Sequence, residues 1–388
     1  MSRIGALALR DAVLDDGSFH SWDGPPLDAA ASQDNDSYRR ELAEARESTG
    51  LDEAVLTGEG RVFGRRVAVV VCEFDFLAGS IGVAAAERIT TAVERATAER
   101  LPLLASPSSG GTRMQEGTVA FLQMVKIAAA VELHKRAHLP YLVYLRHPTT
   151  GGVFASWGSL GHVTVAEPGA LIGFLGPRVY EHLYGEPFPS GVQTAENLHA
   201  HGVIDGVVPL GQLRDTLDRA LRVVTDPPGS PPLPASKPEP IPDVTAWQSV
   251  QASRRPDRPG VAFLLQHGAT DPVLLSGTEV GEAATTLLAL ARFSGQPAVV
   301  LGQRRIVGGL VGPEALREAR RGMALAAGLR LPLVLVIDTA GPALSAEAEQ
   351  GGLAGEIARV LTSDRVIRCP ESITDREVPP NDTPTSLG

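Results

Sequence analysis

The sequence predicts an α/β protein made of two tandem copies of one strand–turn–helix unit, and three observations carry that expectation. An internal repeat runs at a spacing of 230. Phe63-Gly64-Arg65-Arg66-Val67-Ala68-Val69-Val70 aligns with Phe293-Ser294-Gly295-Gln296-Pro297-Ala298-Val299-Val300, Gly82 with Gly312, and Arg100-Leu101-Pro102-Leu103 with Arg330-Leu331-Pro332-Leu333. Short apolar runs end in small-residue turns that lead into helix-periodic segments, as at Leu101 to Gly117. Between the copies, Pro227 to Pro242 holds eight prolines in sixteen residues, which no helix or central strand accommodates. The expected layout is therefore an N-terminal domain at 1–226, a linker at 227–242, a shortened second domain at 243–368 and a disordered tail at 369–388.

Taken in order, residues 1–60 read as polar and helical, with a charged amphipathic helix from Tyr38 to Ser48. Arg61 to Phe76 carries the signal of a strand pair. Gly79-Ser80-Ile81-Gly82 reads as a turn, and Ala85, Ile89, Ala92, Val93 and Ala96 share one face of a helix from Ala84 to Arg100. The run Leu103 to Ala105 reads as a buried strand that ends at Ser109-Gly110-Gly111-Thr112-Arg113, before a helix from Thr118 to Arg136. The theme recurs as a strand at Tyr141 to Leu145 and a second small turn, Thr149-Thr150-Gly151-Gly152. Strands at Val163 to Ala166 and Ala170 to Phe174 follow, then a helix opened by Gly176-Pro177-Arg178. Residues 195–225 read as two helices around a strand at Ile204 to Val208. In the second copy Gly111 falls on Gly341, within Asp338-Thr339-Ala340-Gly341. That copy breaks after Pro370, where the counterpart of the second glycine turn is missing.

Composition narrows the function. The 388 residues suffice for two cores, and 43% hydrophobic with 21% charged residues reads as soluble and globular. A net charge of −10 argues against nucleic acid as the main partner. Two distant cysteines, Cys72 and Cys369, form no disulfide framework and no zinc pattern, which fits a reducing, cytoplasmic setting. No apolar run approaches the ~20 residues of a membrane span. His134, His138, His147 and His162 lack metal-ligand spacing, so no metal is expected. A glycine pair at the end of a buried strand can turn backbone N–H groups toward an anion or a developing oxyanion, because no Cβ blocks the approach. It can equally be a tight joint without chemistry.

The chain resembles the carboxyltransferase component of biotin-dependent acyl-CoA carboxylases, with β-like and shortened α-like halves of acetyl-CoA carboxylase joined. The residues that carry the likeness begin with Leu14 to Phe19, Thr49-Gly50-Leu51-Asp52, Thr57 to Gly60, Phe74-Asp75-Phe76, Gly79 to Gly82 and Ser109 to Gly117. They continue through Pro148 to Val153, Ala166-Glu167-Pro168, Leu171 to Phe174 and Gly176 to Val179. The second half matches more loosely, at Arg255 to Pro259, Gly312 to Met323, Ile337 to Gly341, Ala346-Glu347 and Gln350-Gly351. Two departures stand out: the N-terminal zinc ribbon of the bacterial family and the later glycine-rich turn of the α-like half, which helps build the biotin side of the site, are both missing.

The resemblance implies a crotonase-like superhelix of ββα units, repeated in two domains. It implies transfer of a carboxyl group from carboxybiotin to the α-carbon of an acyl-CoA thioester, giving malonyl-CoA or an analogue through a backbone-stabilised enolate. Gly110 and Gly111 are the expected oxyanion donors, with Gly151 and Gly152 as the second catalytic turn. Ser109, Thr112, Arg113, Thr150, Phe174, Gly176 and Arg178 are expected on the CoA side, although Arg113 could instead fix the turn by pairing with Glu116. Asp338, Thr339, Ala340 and Gly341 form the second-domain turn, where Asp338-Thr339 also reads as a simple strand-end cap. No tightly bound cofactor and no zinc are expected. Biotin would arrive on a separate carrier, so the implied partners are a biotin carboxyl carrier protein and a biotin carboxylase. A homodimer, a larger homo-oligomer or pairing with another carboxyltransferase chain is implied as well. Two alternatives stay open: a biotin-independent malonyl-thioester decarboxylase of the same fold, or a non-catalytic carboxyltransferase-like subunit.

Overall fold

Parallel strands buried on both faces read as unbroken apolar runs, and Val67 to Cys72, Leu103 to Ala105 and Tyr141 to Leu145 are such runs, all buried. The computed structural model describes residues 3–27, 35–229, 243–255, 258–275, 285–304, 309–339 and 341–363. The linker from 230 to 242, Ala340 and the 369–388 tail lie outside them.

In the first half, α1 (Ala6–Val13), β1 (His20–Ser21) and α2 (Asp36–Thr49) precede the hairpin β2 (Val55–Val62) and β3 (Arg65–Cys72). There follow α3 (Val83–Ala98), β4 (Leu103–Ser106), α4 (Gly117–Arg136), β5 (Tyr141–Leu145), β6 (Thr149–Thr150) and α5 (Gly151–Phe154). The half closes with β7 (Val163–Ala166), β8 (Ile172–Gly173), α6 (Pro177–Tyr184), α7 (Ala195–Ala200), β9 (Gly206–Val207) and α8 (Leu210–Thr225). A sheet of seven strands runs in the order β1-β2-β3-β4-β5-β7-β9. It is antiparallel through β3 and parallel beyond. The short parallel pair β6 and β8 stands apart from it. β2 corrects the reading of residues 1–60 as helical, because the glycines and Glu59 within Val55–Val62 hid the alternation of a strand.

The second half contributes α9 (Ala246–Ser253), α10 (Val261–Gly268), β10 (Thr270–Leu275), β11 (Thr286–Phe293) and β12 (Gln296–Gln303). It continues with α11 (Pro313–Leu329), β13 (Leu333–Val336), α12 (Ala346–Gln350) and α13 (Leu353–Leu361). Its strands order as β10-β11-β12-β13, with β12 and β13 parallel.

The structure sharpens the repeat. Both hairpins turn on two residues of positive φ, Phe63 and Gly64 (46° and 81°) and Ser294 and Gly295 (49° and 79°). That is the two-residue turn whose twist matches the strands. Phe63 therefore corresponds to Ser294, a spacing of 231, and not to Phe293 as sequence identity suggests. The spacing has returned to 230 by Arg100 and Arg330 (φ 54° and 55°), so the second copy is one residue shorter between β12 and α11.

Two apolar layers sandwich the first sheet. On one face Ala85, Ile89 and Val93 of α3 and Ile127 and Val131 of α4 cover Val70, Leu103 and Val143. On the other, Val69, Leu142 and Tyr144 join Leu9, Leu217 and Leu221 in a cluster that also includes Leu288, Leu290 and Val299 of the second sheet. The halves thus share one layer of core.

Candidate functional site: two abutting glycine turns

The C-terminal ends of β4 and β5 bring two turns together. Ser109 N–H donates to Pro148 O at 2.7 Å and Thr150 N–H to Ser109 O at 2.9 Å, a parallel bridge that zips one turn to the other. Gly111 has φ +114°, a conformation that only glycine adopts without strain. A Cβ there would sit 3.7 Å from Gly151 Cα and from Thr150 O, and 3.8 Å from Gly152 N. Behind them, a Cβ on Gly79 would come within 2.1 Å of Ser108 O, so the Gly79–Gly82 turn presses directly on the first turn.

Hydrogen bonding decides which N–H groups remain available. Gly110 N–H already donates to Ala78 O at 2.9 Å, and Gly111 N–H to Ser109 Oγ at 3.0 Å. The protons of the two expected oxyanion donors, Gly110 and Gly111, are thus engaged within the turn in this structure. Gly151 N–H is held by Phe174 O at 3.1 Å. Gly152 N–H lies in the first turn of α5, where no i−4 carbonyl is available, and it has no backbone acceptor among the described residues. The same holds for Thr112 N–H. Ile81 bonds the peptide groups on either side of Thr112, through Gly111 O and Arg113 N. Where the two turns abut, Gly152 and Thr112 N–H are thus both without an acceptor among the described residues.

The other expected residues separate by burial. Ser109 and Thr150 are buried and their hydroxyls are directed into the turns. Arg113 is 1% exposed and cannot reach a CoA phosphate. It bonds both Glu53 oxygens (2.5 and 3.0 Å), Ser80 O at 2.8 Å and Tyr38 Oη at 3.3 Å. It does fix the turn, but chiefly through Glu53, with Glu116 at 3.7 Å. Glu116 accepts from Val83 N–H at 2.6 Å and so caps α3 from the neighbouring turn. Phe174 is 68% exposed beside Gly176, the N-cap of α6. The Arg178 side chain lies outside the described residues.

Asp338 N–H donates to Gln303 Oε1 at 2.8 Å, and Thr339 Oγ1 accepts from Gly341 N–H at 2.9 Å. Sequence reasoning passed over Glu53, Tyr38 and Ala78. Their roles exist only through contacts far along the chain, and nothing in their local pattern marked them.

Among the described residues no group of three or more His, Cys, Asp or Glu could hold a metal, and no helix is long and apolar enough to cross a membrane. His134 and His162 are structural. His134 bonds Thr97 Oγ1 and Pro140 O, and His162 Nδ1 accepts from Tyr141 N–H. Arg65 bridges Asp218 of α8 and Asp226 just beyond its end. One face of α4 is buried, yet Phe121, Leu122 and Val125 on the other are exposed.

A family profile described as the carboxyl transferase domain matches residues 11–374. The probable biotin-dependent acyl-coenzyme A carboxylase beta3 subunit of Mycobacterium tuberculosis is 78% identical over 365 residues, which cover 93% of this chain and 73% of that protein. The acetyl-coenzyme A carboxylase carboxyl transferase subunits beta/alpha of a Parafrankia species are 38% identical, over 93% of this chain and 65% of theirs. Among solved structures, transcarboxylase 12S aligns with a TM-score of 0.72 at 20% identity, covering 93% of this chain and 68% of its own. A single-chain, multi-domain long-chain acyl-CoA carboxylase aligns at 0.68 and 17%, over 94% and 36%. These likenesses bear out the tandem crotonase-like architecture. The chain belongs to the carboxyl transferase domain family, as a relative of the carboxyltransferase subunits of biotin-dependent acyl-CoA carboxylases.

Proposed function

We propose that this chain binds an acyl-CoA, of the acetyl-CoA type, at the two glycine turns and catalyses transfer of a carboxyl group to its α-carbon, giving malonyl-CoA or an analogue. The observation that carries the reading is the pair of unengaged donors, Gly152 and Thr112 N–H, beside a gap that a Cβ at Gly111 would fill. Removing the α-proton of a thioester places charge on its oxygen. A preorganised N–H aimed at that oxygen contributes about 3 kcal/mol where comparable donors have been removed. Thr112 and Gly152 hold the enolate oxygen. The bridge between Ser109 and Thr150 holds the two donors in one geometry, so little reorganisation accompanies reaction. Exposed Phe174 flanks the turn and offers an apolar wall to the pantetheine arm.

Carboxybiotin, brought by a carrier protein charged by a biotin carboxylase, supplies the carboxyl group and the base. No side chain among the described residues at the turns is placed as a general base, which accords with that division of labour. The exposed apolar face of α4 supports a partner surface for a second copy or another carboxyltransferase chain. The cytoplasm is the proposed setting.

The test is to incubate the chain with malonyl-CoA, with and without free biotin. Biotin-dependent formation of acetyl-CoA supports carboxyl transfer. Biotin-independent release of CO2 overturns it in favour of the decarboxylase. Absence of turnover with tight binding to a second carboxyltransferase chain points to a non-catalytic subunit.

A further inference from the structure

The first glycine turn has a backbone twin. Gly111 and Gly341, at φ +114° and +124°, each donate to the hydroxyl two residues earlier, Ser109 at 3.0 Å and Thr339 at 2.9 Å. Ile81 and Val311 donate to the carbonyls of those glycines at 2.9 and 3.0 Å. Arg113 and Ala343 complete the bridges by donating to Ile81 O and Val311 O at 3.0 and 2.9 Å. These bonds of the turn thus recur in both copies.

What lies behind the two turns differs. Arg113 and Glu116 face Ala343 and Ala346 in the second copy, and the flanking Ile337 and Leu344 are 76% and 84% exposed. Behind the first turn, Arg113, Glu53 and Glu116 are all buried. Two carboxylates against one guanidinium leave an excess negative charge, and buried charge needs partners. Val83 N–H at the start of α3 offsets part of it. The Tyr38 hydroxyl offsets more by donating to Glu116 Oε1 while accepting from Arg113 Nη1 at 3.3 Å. Tyr38 comes from α2, which packs through Tyr38, Leu42 and Ala45 against Ala54 and Phe76.

We propose that Tyr38 is a positioning residue for the acyl-thioester site: its phenol joins Arg113 to Glu116 and thereby holds the turn from Ser109 to Gly117 against Gly151 and Gly152. The proposal rests on the carboxyl-transfer reading for its kinetic consequence, and on geometry alone for its structural one. Packing of the ring needs no hydroxyl, so Tyr38→Phe separates the two roles.

Tyr38→Phe is expected to lower kcat about tenfold at unchanged KM for the acyl-CoA, because a small displacement of site donors acts on the transition state. Amide hydrogen exchange is expected to quicken at residues 80–83 and 110–117 while β2 and β3 keep their protection. Glu116→Gln added to Tyr38→Phe should cost little more than either alone, since both sever one network. An unchanged kcat, exchange unchanged at the turn, or exchange that rises evenly over the whole chain each overturns the proposal. If the wild-type chain shows no carboxyl transfer, the functional reading fails, and exchange at 110–117 alone judges the clasp.

Discussion

Gly111 and Gly151 lie back to back, so that a Cβ on Gly151 would stand 3.4 Å from Gly111 Cα. That contact brings Gly152 N–H beside Thr112, and it is open to a direct test. Gly152→Pro deletes the N–H at a position near the start of a helix, where proline is tolerated, and should lower kcat by about 100-fold or more. Gly152→Ala keeps the N–H, and its Cβ would meet side-chain atoms first, Met124 Cγ at 3.3 Å and Thr112 Cγ2 at 3.4 Å, so most activity should survive. Equal activity in both variants would remove Gly152 from the oxyanion hole.

Arg113 and Glu53 form a buried, two-pronged pair. Arg113→Met strands the Glu53 carboxylate and should destabilise the fold by about 3–5 kcal/mol in urea unfolding. The double variant Arg113→Met/Glu53→Leu should recover part of that loss. A double variant as unstable as the sum of the singles would contradict the pairing.

Acid should weaken the fold through two histidines. Burial lowers His134 to about 4, and burial together with nearby Lys135 and His134 lowers His162 to about 3, from the ordinary 6.5. Between those values and 6.5 the unfolded chain binds protons that the folded chain does not, so stability is complete above pH 6.5 and declines as pH falls toward 4 and 3. His162→Gln should flatten the fall of Tm between pH 6.5 and 4; an undiminished slope would assign it to other groups.

Arg292 fastens the chain where the first half ends. Its guanidinium bonds Arg222 O and Pro227 O, each at 2.7 Å, Asp226 O at 3.2 Å and Gly295 O at 2.5 Å. Arg292→Met orphans several of these carbonyls and should cost about 2–4 kcal/mol. Limited proteolysis should then cut first near 227–229. Cleavage elsewhere would show that the clamp does not govern this junction.

The outward face of α4 invites a different measurement. Phe121→Glu with Val125→Glu should leave Tm within a few degrees and shift any oligomer toward monomer in sedimentation, because both side chains are exposed. An unchanged mass would place the partner surface elsewhere.

Much of the fold was legible in local pattern. Buried strands announced themselves as apolar runs, and the glycine turns as small-residue breaks after them. Register was less legible: the shared Phe63 and Phe293 aligned the hairpins one residue out, whereas the positive φ of Ser294 and Gly295 fixes the true match. The site was half legible. Glycine pairs mark where backbones approach, but which N–H stays free depends on Ala78 O and Ser109 Oγ. Arg113 likewise looked to Glu116, its neighbour on the chain, because Glu53 is adjacent only in space.

The contact between Gly82 and Glu116 sets how freely the two copies can drift. A Cβ at Gly82 would fall 2.3 Å from the Glu116 carboxylate, so even alanine there must evict the group that caps α3. At the twin position, the one neighbour a Cβ on Gly312 meets among the described residues is Glu314 Oε2 at 3.2 Å, the far end of a movable side chain. One glycine is thus locked by a buried carboxylate and the other is not, so the two halves carry unequal mutational tolerance at matching positions of one repeated turn.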